Sequence, residues 1–162
     1  MKSPVSADQA LPPLKRILIL GNGGRENALA WAMQKCKSVK EVWVAPGNGG
    51  TENHLGCKCL EIKESQVNKI IDICLLKKID LVVIGPETPL ANGVSDDLRL
   101  TGLTVFGPGA DGAQLEASKT WSKELMVEAG IPTAKHWSTT KEEEALSILK
   151  NFDNALVVKA DG

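Results

Sequence analysis

Apolar residues recur along this chain in two rhythms. Short unbroken runs at 16–20 (RILIL), 41–44 (EVWV), 80–85 (DLVVIG) and 103–107 (LTVFG) have the composition of strands covered on both faces. Between them the spacing lengthens to the helical period. Val67, Ile70, Ile71, Cys74 and Leu75 fall at i, i+3, i+4, i+7 and i+8, one stripe of a helix, and Leu29, Ala32, Met33 and Cys36 make a weaker stripe after the first run. A further helix is predicted over 91–102, ending at Gly102. Strand and helix in alternation predict an α/β domain with a parallel sheet and right-handed crossovers.

Beyond residue 107 the texture changes. The pattern predicts a helix over 114–129 with Trp121, Leu125 and Ala129 on one face, stopped by GIP at 130–132, and a short strand near 133–138. A helix over 141–152 follows, with Ala145, Ile148, Leu149 and Phe152 inward, and then a strand over 154–160. The expected organisation is a disordered leader (1–15), an α/β substrate-binding domain (16–110) and an incomplete second domain (111–162). A segment as short as the last is marginal for an independent core, so the chain reads as a fragment. The tryptophans at 31, 43, 121 and 137 are expected at core-facing positions.

Composition narrows the class of function. Nineteen basic residues against twenty acidic ones leave no broad cationic face, so neither nucleic acid nor a membrane surface is an expected partner. No apolar run approaches the roughly 20 residues of a membrane helix, and the start lacks a secretory apolar centre; a soluble cytoplasmic protein is expected, or a plastid one if a transit peptide was cut away. A monomer whose partners are small molecules is the further expectation. Four cysteines, at 36, 57, 59 and 74, are too sparse for a disulfide scaffold. His54, Cys57 and Cys59, with Cys74 elsewhere, offer ligand types that zinc accepts, but C-x-C is not a usual structural-zinc pair and no metal site is expected. His136, beside Trp137, reads as a packed or surface residue.

Ligands of parallel sheets bind beyond the carboxyl ends of the strands. Four glycine- and proline-rich loops should gather there: GNGGREN (21–27), APGNGGTEN (45–53), GPETPL (85–90) and GPGADG (107–112). The first invites a dinucleotide reading, which needs a third glycine three residues after the second and a carboxylate at the tip of the second strand. Glu26 occupies the first position and EVWVAPG lacks the second, so an NAD-dependent oxidoreductase is the weaker alternative. What survives is an anion site: main-chain N–H groups at Gly21, Asn22, Gly23 and Gly24 with a helix start, and Arg25 adding charge. A phosphorylated small molecule fits it better than NAD.

The segments LILGNGGRENALAW, VAPGNGGTEN, DLVVIGPETPLANGV, VFGPGADGAQLEASKTWSKELM, GIPTA and VVKADG, in this order, resemble the amino-terminal part of the phosphoribosylamine-glycine ligase family, also called glycinamide ribonucleotide synthetase. The resemblance runs from about Arg16 to Gly162. It implies a Rossmann-like domain preceding an ATP-grasp domain, in a ligase of purine biosynthesis. There ATP, as co-substrate, activates glycine as an acyl phosphate that the amine of 5-phosphoribosylamine attacks. Carried over motif by motif, it places Gly21, Asn22, Gly23, Gly24, Arg25 and Glu26, then Pro46, Gly47 and Asn48, then Gly85, Pro86, Glu87 and Pro89 around phosphoribosylamine. Glu87 is expected to meet ribose hydroxyls or the amine, and Lys119 and Lys159 to face ATP. Family members usually carry histidine after GGRE, where this chain has Asn27, so no titrating side chain is expected there. The family also uses magnesium or manganese, held by carboxylates beyond KADG, and a glycine-rich lid; without them the chain is expected not to turn over. A non-catalytic phosphoribosyl-binding module is the remaining alternative.

Overall fold

The computed structural model describes residues 13–53, 56–152 and 156–161. In chain order its elements are β1 (Arg16–Gly21), α1 (Gly24–Gln34), β2 (Glu41–Pro46), α2 (Gly49–Glu52), β3 (Cys57–Cys59), α3 (Val67–Lys77), β4 (Leu81–Ile84), α4 (Glu87–Ala91), α5 (Val94–Leu100), β5 (Val105–Phe106), α6 (Ala110–Ala117), α7 (Lys119–Glu128) and α8 (Glu142–Lys150). Contacts divide the chain into two units, Met1–Ala110 and Asp111–Gly162.

In the first unit the five strands form one parallel sheet of order β3-β2-β1-β4-β5. The unbroken apolar run of β1 follows from its central place: Ile17, Leu18, Ile19 and Leu20 are all shielded from water. Ile17 and Ile19 pack with Val42, Val44, Val83 and Ala30 of α1, and Leu29, Met33 and Leu81 lean against them. Leu18 and Leu20 alternate to the opposite face, level with Val82 and Ile84, where right-handed crossovers set α3 and α5. Those helices contribute buried Ile70, Cys74 and Leu98. Each such side chain stabilises the unit by about 1.5–3 kcal/mol. Asp80 ties β1 to β4, its carboxylate accepting the main-chain N–H groups of Lys15 and Arg16 at 2.8 Å each. Those two bonds hold its pKa below the usual carboxylate range. Most of the expected leader, residues 1–12, lies outside the described residues, and Lys15 is pinned by its main chain rather than loose.

β3 is a strand where none was expected, because a three-residue C-K-C run carries no apolar signature. On α1 the inward positions are Glu26 and Ala30, whereas Ala32 and Cys36 are exposed. Trp31 is 51% exposed, with the Lys35 ammonium 3.2 Å from its ring centre. Trp43 is half-buried, with Lys58 and Lys77 at 4.7 and 3.9 Å from its ring centre. The helix expected over 91–102 breaks at Gly93, whose φ of 80° lies in the left-handed region that glycine tolerates; α4 precedes it and α5 follows.

The second unit is helical. The helix expected over 114–129 divides at Ser118, whose hydroxyl accepts the N–H of Trp121 at 3.1 Å and starts α7. Neither expected strand forms among the described residues: 133–138 and 156–160 are irregular, and Val157 and Val158 stand in solvent. Leu149 is exposed, as are Trp121 and Trp137, because the described residues of this unit supply no apolar layer to cover them. Trp137 does meet Phe152 edge-on, ring centres 5.0 Å apart. Among the described residues, no helix is long and apolar enough to cross a membrane.

Candidate site at the carboxyl edge of the sheet

With strand order β3-β2-β1-β4-β5, the chain leaves β1 to one side and β4 to the other. The crevice that such a reversal opens lies beyond the ends of β1 and β4. Gly21–Arg25 and Gly85–Glu87 stand at those two ends.

Glu26 is the hub of this edge. It is 2% exposed, and its Oε2 accepts the N–H of Gly23 at 2.7 Å while its Oε1 accepts Nε–H of Arg25 at 2.8 Å. That bond to Gly23 caps the start of α1 from the third helical position, where glycine at the N-cap has no side chain to cap with, and a carboxylate in the first turn also suits the positive end of the helix. There is room for it because Gly21, Gly23 and Gly85 surround it, the closest approaches being at Gly85 and Gly21. A Cβ on Gly85 would fall 1.9 Å from Glu26 Oε1, and one on Gly21 would fall 2.6 Å from Glu26 Cγ. A buried acid in the third glycine position thus packs where a dinucleotide turn would need close helix-to-strand contact.

Arg25 carries the link onward. Held by Glu26 through Nε, it reaches Glu87 Oε2 from its terminal nitrogen at 3.4 Å, joining the two loops across the crevice. The Glu26 hydrogen bond, and then Glu87, raise the guanidinium pKa above its ordinary value. The Glu87 carboxyl is held below its usual range, first by its own main-chain N–H at the start of α4 and then by Arg25. Both side chains are about half exposed, so this ion pair is weak in stability terms and open to a competing ligand. Asn22 and Gly24 are exposed beside it, and first-turn N–H groups of a helix have no partner within the helix. Pro86 precedes α4 and Pro89 is buried within it.

The second loop is fastened to the first. The Ala45–Pro46 peptide is cis, and Gly47 donates its N–H to the Gly21 carbonyl at 3.1 Å. Asn48 Nδ2 donates to the carbonyls of Asn22 (2.8 Å) and Gly23 (3.3 Å), while its Oδ1 accepts the N–H groups of Gly50 (2.8 Å) and Thr51 (3.1 Å). Asn27 lies at the same seam: a Cβ on Gly50 would meet its Nδ2 at 3.0 Å. The fourth loop is stitched to α5, where Arg99 donates to the Gly107 carbonyl and to Ser95 Oγ, and Asp96 accepts the N–H of Ala110 at 2.8 Å.

Of the residues expected from sequence, the structure therefore gathers all three loops at one edge and sorts them. Arg25, Glu87, Asn22 and Gly24 face solvent, whereas Glu26 and Asn48 are engaged internally. In the second unit Lys119 opens α7 and Lys159 lies on the exposed irregular segment. Asp161 ties these stretches together, accepting the N–H groups of Lys119 (2.6 Å) and Thr120 (3.2 Å) and the hydroxyl of Ser118 (3.1 Å). The hydroxyl and main-chain donors of Thr120 and its neighbours hold the Asp161 pKa below the usual range. Sequence reasoning passed over Asp161 and Thr51. The N-x-x-T spacing of Asn48 and Thr51, a capping-box pattern, was the available signal for Thr51.

His54 lies outside the described residues. Among those described, no group of three or more histidine, cysteine or acidic side chains could hold a metal ion. Cys74 is buried in the core, which pushes its thiol up to about 11, and Cys57 is also raised by burial.

Comparison with known proteins agrees with this architecture. Residues 15–116 match the family model described as phosphoribosylglycinamide synthetase, N domain, and residues 117–162 match that of the ATP-grasp (A) domain of the same synthetase. A phosphoribosylamine–glycine ligase from a Nostoc species is 46% identical over 147 residues, covering 91% of this chain and 35% of that protein. The human trifunctional purine biosynthetic protein adenosine-3 is 48% identical over 148 residues, covering 91% of this chain and 15% of that protein. The chain spans about a third of the length of the curated single-function ligases it matches. Among solved structures, the biotin carboxylase domain of Hydrogenobacter thermophilus 2-oxoglutarate carboxylase, in complex with MgADP, ADP and bicarbonate, superposes with a TM-score of 0.61 at 19% identity. That match covers 86% of this chain and 33% of that one. N5-carboxyaminoimidazole ribonucleotide synthetase from Thermotoga maritima gives 0.58 at 17% identity, over 83% and 36%. These two likenesses establish the fold.

Proposed function

The chain belongs to the phosphoribosylglycinamide synthetase family, and we propose that its first unit holds the phosphoribosyl part of 5-phosphoribosylamine within a ligase that joins that amine to glycine. In the whole protein ATP would convert the glycine carboxylate to an acyl phosphate. The phosphoribosylamine nitrogen would then attack it, releasing phosphate and leaving glycinamide ribonucleotide and ADP. The family membership sets aside the NAD-dependent alternative.

The observation that carries this reading is the Arg25–Glu87 pair across the β1/β4 crevice, beside the start of α1. A phosphate would take the guanidinium and the N–H groups of Gly24 and Arg25, combining charge with helix-end donors. Glu87, relieved of Arg25, would accept hydrogen bonds from ribose hydroxyls or from the amine. Gly21, Pro46, Gly47, Gly85, Pro86 and Pro89 shape the walls, and Gly23, Glu26 and Asn48 fix their spacing. Asn27 supplies an amide that neither gains nor loses a proton, so proton transfer at this edge falls to other groups. In the second unit Lys119 and Lys159 would present ammonium groups to the phosphates of ATP. The family's divalent cation finds no ligand set among the described residues.

Titration calorimetry of this chain with glycinamide ribonucleotide tests the reading. Binding at roughly millimolar affinity or better is expected, weakened about tenfold or more in Arg25→Gln. A folded sample that releases no heat at millimolar ligand would overturn it.

A further inference from the structure

The second loop contains one polar side chain, Thr51, that is shut away from solvent and from any ligand at the sheet edge. Thr51 is wholly buried, and its hydroxyl has three neighbours: it accepts the N–H of Asn48 at 2.8 Å, lies 2.6 Å from the Asn48 carbonyl and 3.3 Å from Cys59 Sγ. A hydroxyl has one proton and two acceptor sites. The Asn48 carbonyl cannot donate and so takes that proton, which leaves the Cys59 thiol as donor to the hydroxyl. Every hydrogen-bonding capacity of Thr51 is thereby used.

Both Nδ2 hydrogens of Asn48 go to the carbonyls of Asn22 and Gly23, and its Oδ1 accepts two N–H groups, so its amide is also saturated and has nothing left for a ligand. Gly47 rests directly on the Thr51 and Cys59 side chains, where a Cβ would fall 2.9 Å from the hydroxyl and 2.6 Å from the sulfur.

We propose that Thr51 is a positioning residue of the phosphoribosyl site: braced on Cys59 of the edge strand β3, it fixes Asn48, which in turn sets the carbonyls of Asn22 and Gly23 and so aims the N–H groups at the start of α1. Ligand contact by those N–H groups rests on the function proposed above; the bracing itself does not. Removing the hydroxyl leaves the main-chain N–H of Asn48 and the Cys59 thiol without their partner, while the Asn48 carbonyl keeps the N–H groups of Thr51 and Glu52 and valine keeps the volume of the side chain.

Two readouts separate the bracing from the function. Thr51→Val and Thr51→Ser are compared in this 162-residue chain by amide hydrogen exchange without ligand and by calorimetry with ribose 5-phosphate. Thr51→Val should speed exchange at Gly50 and residue 51 about tenfold or more and weaken ribose 5-phosphate by a similar factor, as loss of a supporting hydrogen bond does elsewhere. Exchange at Val83, in the sheet, should stay unchanged. Thr51→Ser, which restores the hydroxyl, should stay within about threefold of the parent in both. Unchanged exchange at Gly50 in a folded Thr51→Val would overturn the proposal. So would a Thr51→Ser chain of parental thermal midpoint that loses both protection and binding, which decides the matter even if the valine variant does not fold. If the parent itself does not bind ribose 5-phosphate, the function falls and the exchange data alone judge the bracing.

Discussion

The tripeptide Leu-Val-Val occurs twice, at 81–83 and at 156–158, with opposite fates. In the first unit it is β4, hydrogen-bonded to β1 on one side and β5 on the other, with Val82 and Val83 removed from water. In the second unit the same three residues are irregular, and Val157 and Val158 are 78% and 79% exposed. Apolar and β-branched character makes a strand available; neighbouring strands and a covering helix decide whether it forms. The candidate site of the first unit depends on that difference, because its loops are aimed by strands that have partners.

The comparison is broken most directly by trimming the two tripeptides equally. Val82→Ala should lower unfolding free energy in urea by about 2–4 kcal/mol, from lost burial and the cavity left behind. Val157→Ala should change it by less than about 0.5 kcal/mol. Equal effects would mean that the second segment is packed in solution.

A smaller effect is expected at the glycines of the site. In Gly85→Ala the new methyl must displace the Glu26 carboxylate, costing about 1–3 kcal/mol in thermal or urea unfolding and freeing the Gly23 N–H. At Gly24 a Cβ meets nothing within 4 Å and the position is helical, so Gly24→Ala should be neutral or stabilising by up to about 1 kcal/mol.

Acid acts on one carboxylate tie in each unit, and with the same sign. The Asp161 pKa is lowered in the folded chain, so its contribution is present above the unfolded pKa and is lost as pH falls through the folded one. As the pH falls below about 4 the amide resonances of Lys119 and Thr120 should therefore move, as those N–H groups lose their charged acceptor. Asp80, also lowered, follows the same sign at the β1/β4 tie. Thiol reactivity gives the finest contrast. Cys36, exposed, should react with iodoacetamide at pH 8, whereas Cys74, buried with its thiol pushed up to about 11, should react only on unfolding.

The sheet was legible because a parallel strand buried on both faces writes itself as an unbroken apolar run, as Ile17–Leu20 does. β3 was not, since Cys57, Lys58 and Cys59 form an edge strand through main-chain bonds to β2 and need no apolar pattern. The site loops could be placed by their glycines and prolines. Their division of labour could not: burial of Glu26 depends on the missing Cβ of Gly85, some sixty positions away, and the engagement of Asn48 depends on carbonyls of another loop. The strands expected in the second unit failed for the reason that Val157 illustrates. Periodicity reports what a segment could bury, and only neighbours determine what it does bury.

The proposed ligand of the crevice between Arg25 and Glu87 is a sugar phosphate. A ¹⁵N–¹H titration of the chain with ribose 5-phosphate tests it residue by residue. The amides of Asn22, Gly24, Arg25 and Glu87 should shift together and saturate at roughly millimolar ligand. Amides around Trp43 and Lys58, away from that crevice, should not move. A folded sample with no shifts at about 10 mM, or with shifts confined to the Trp43 region, would contradict the account.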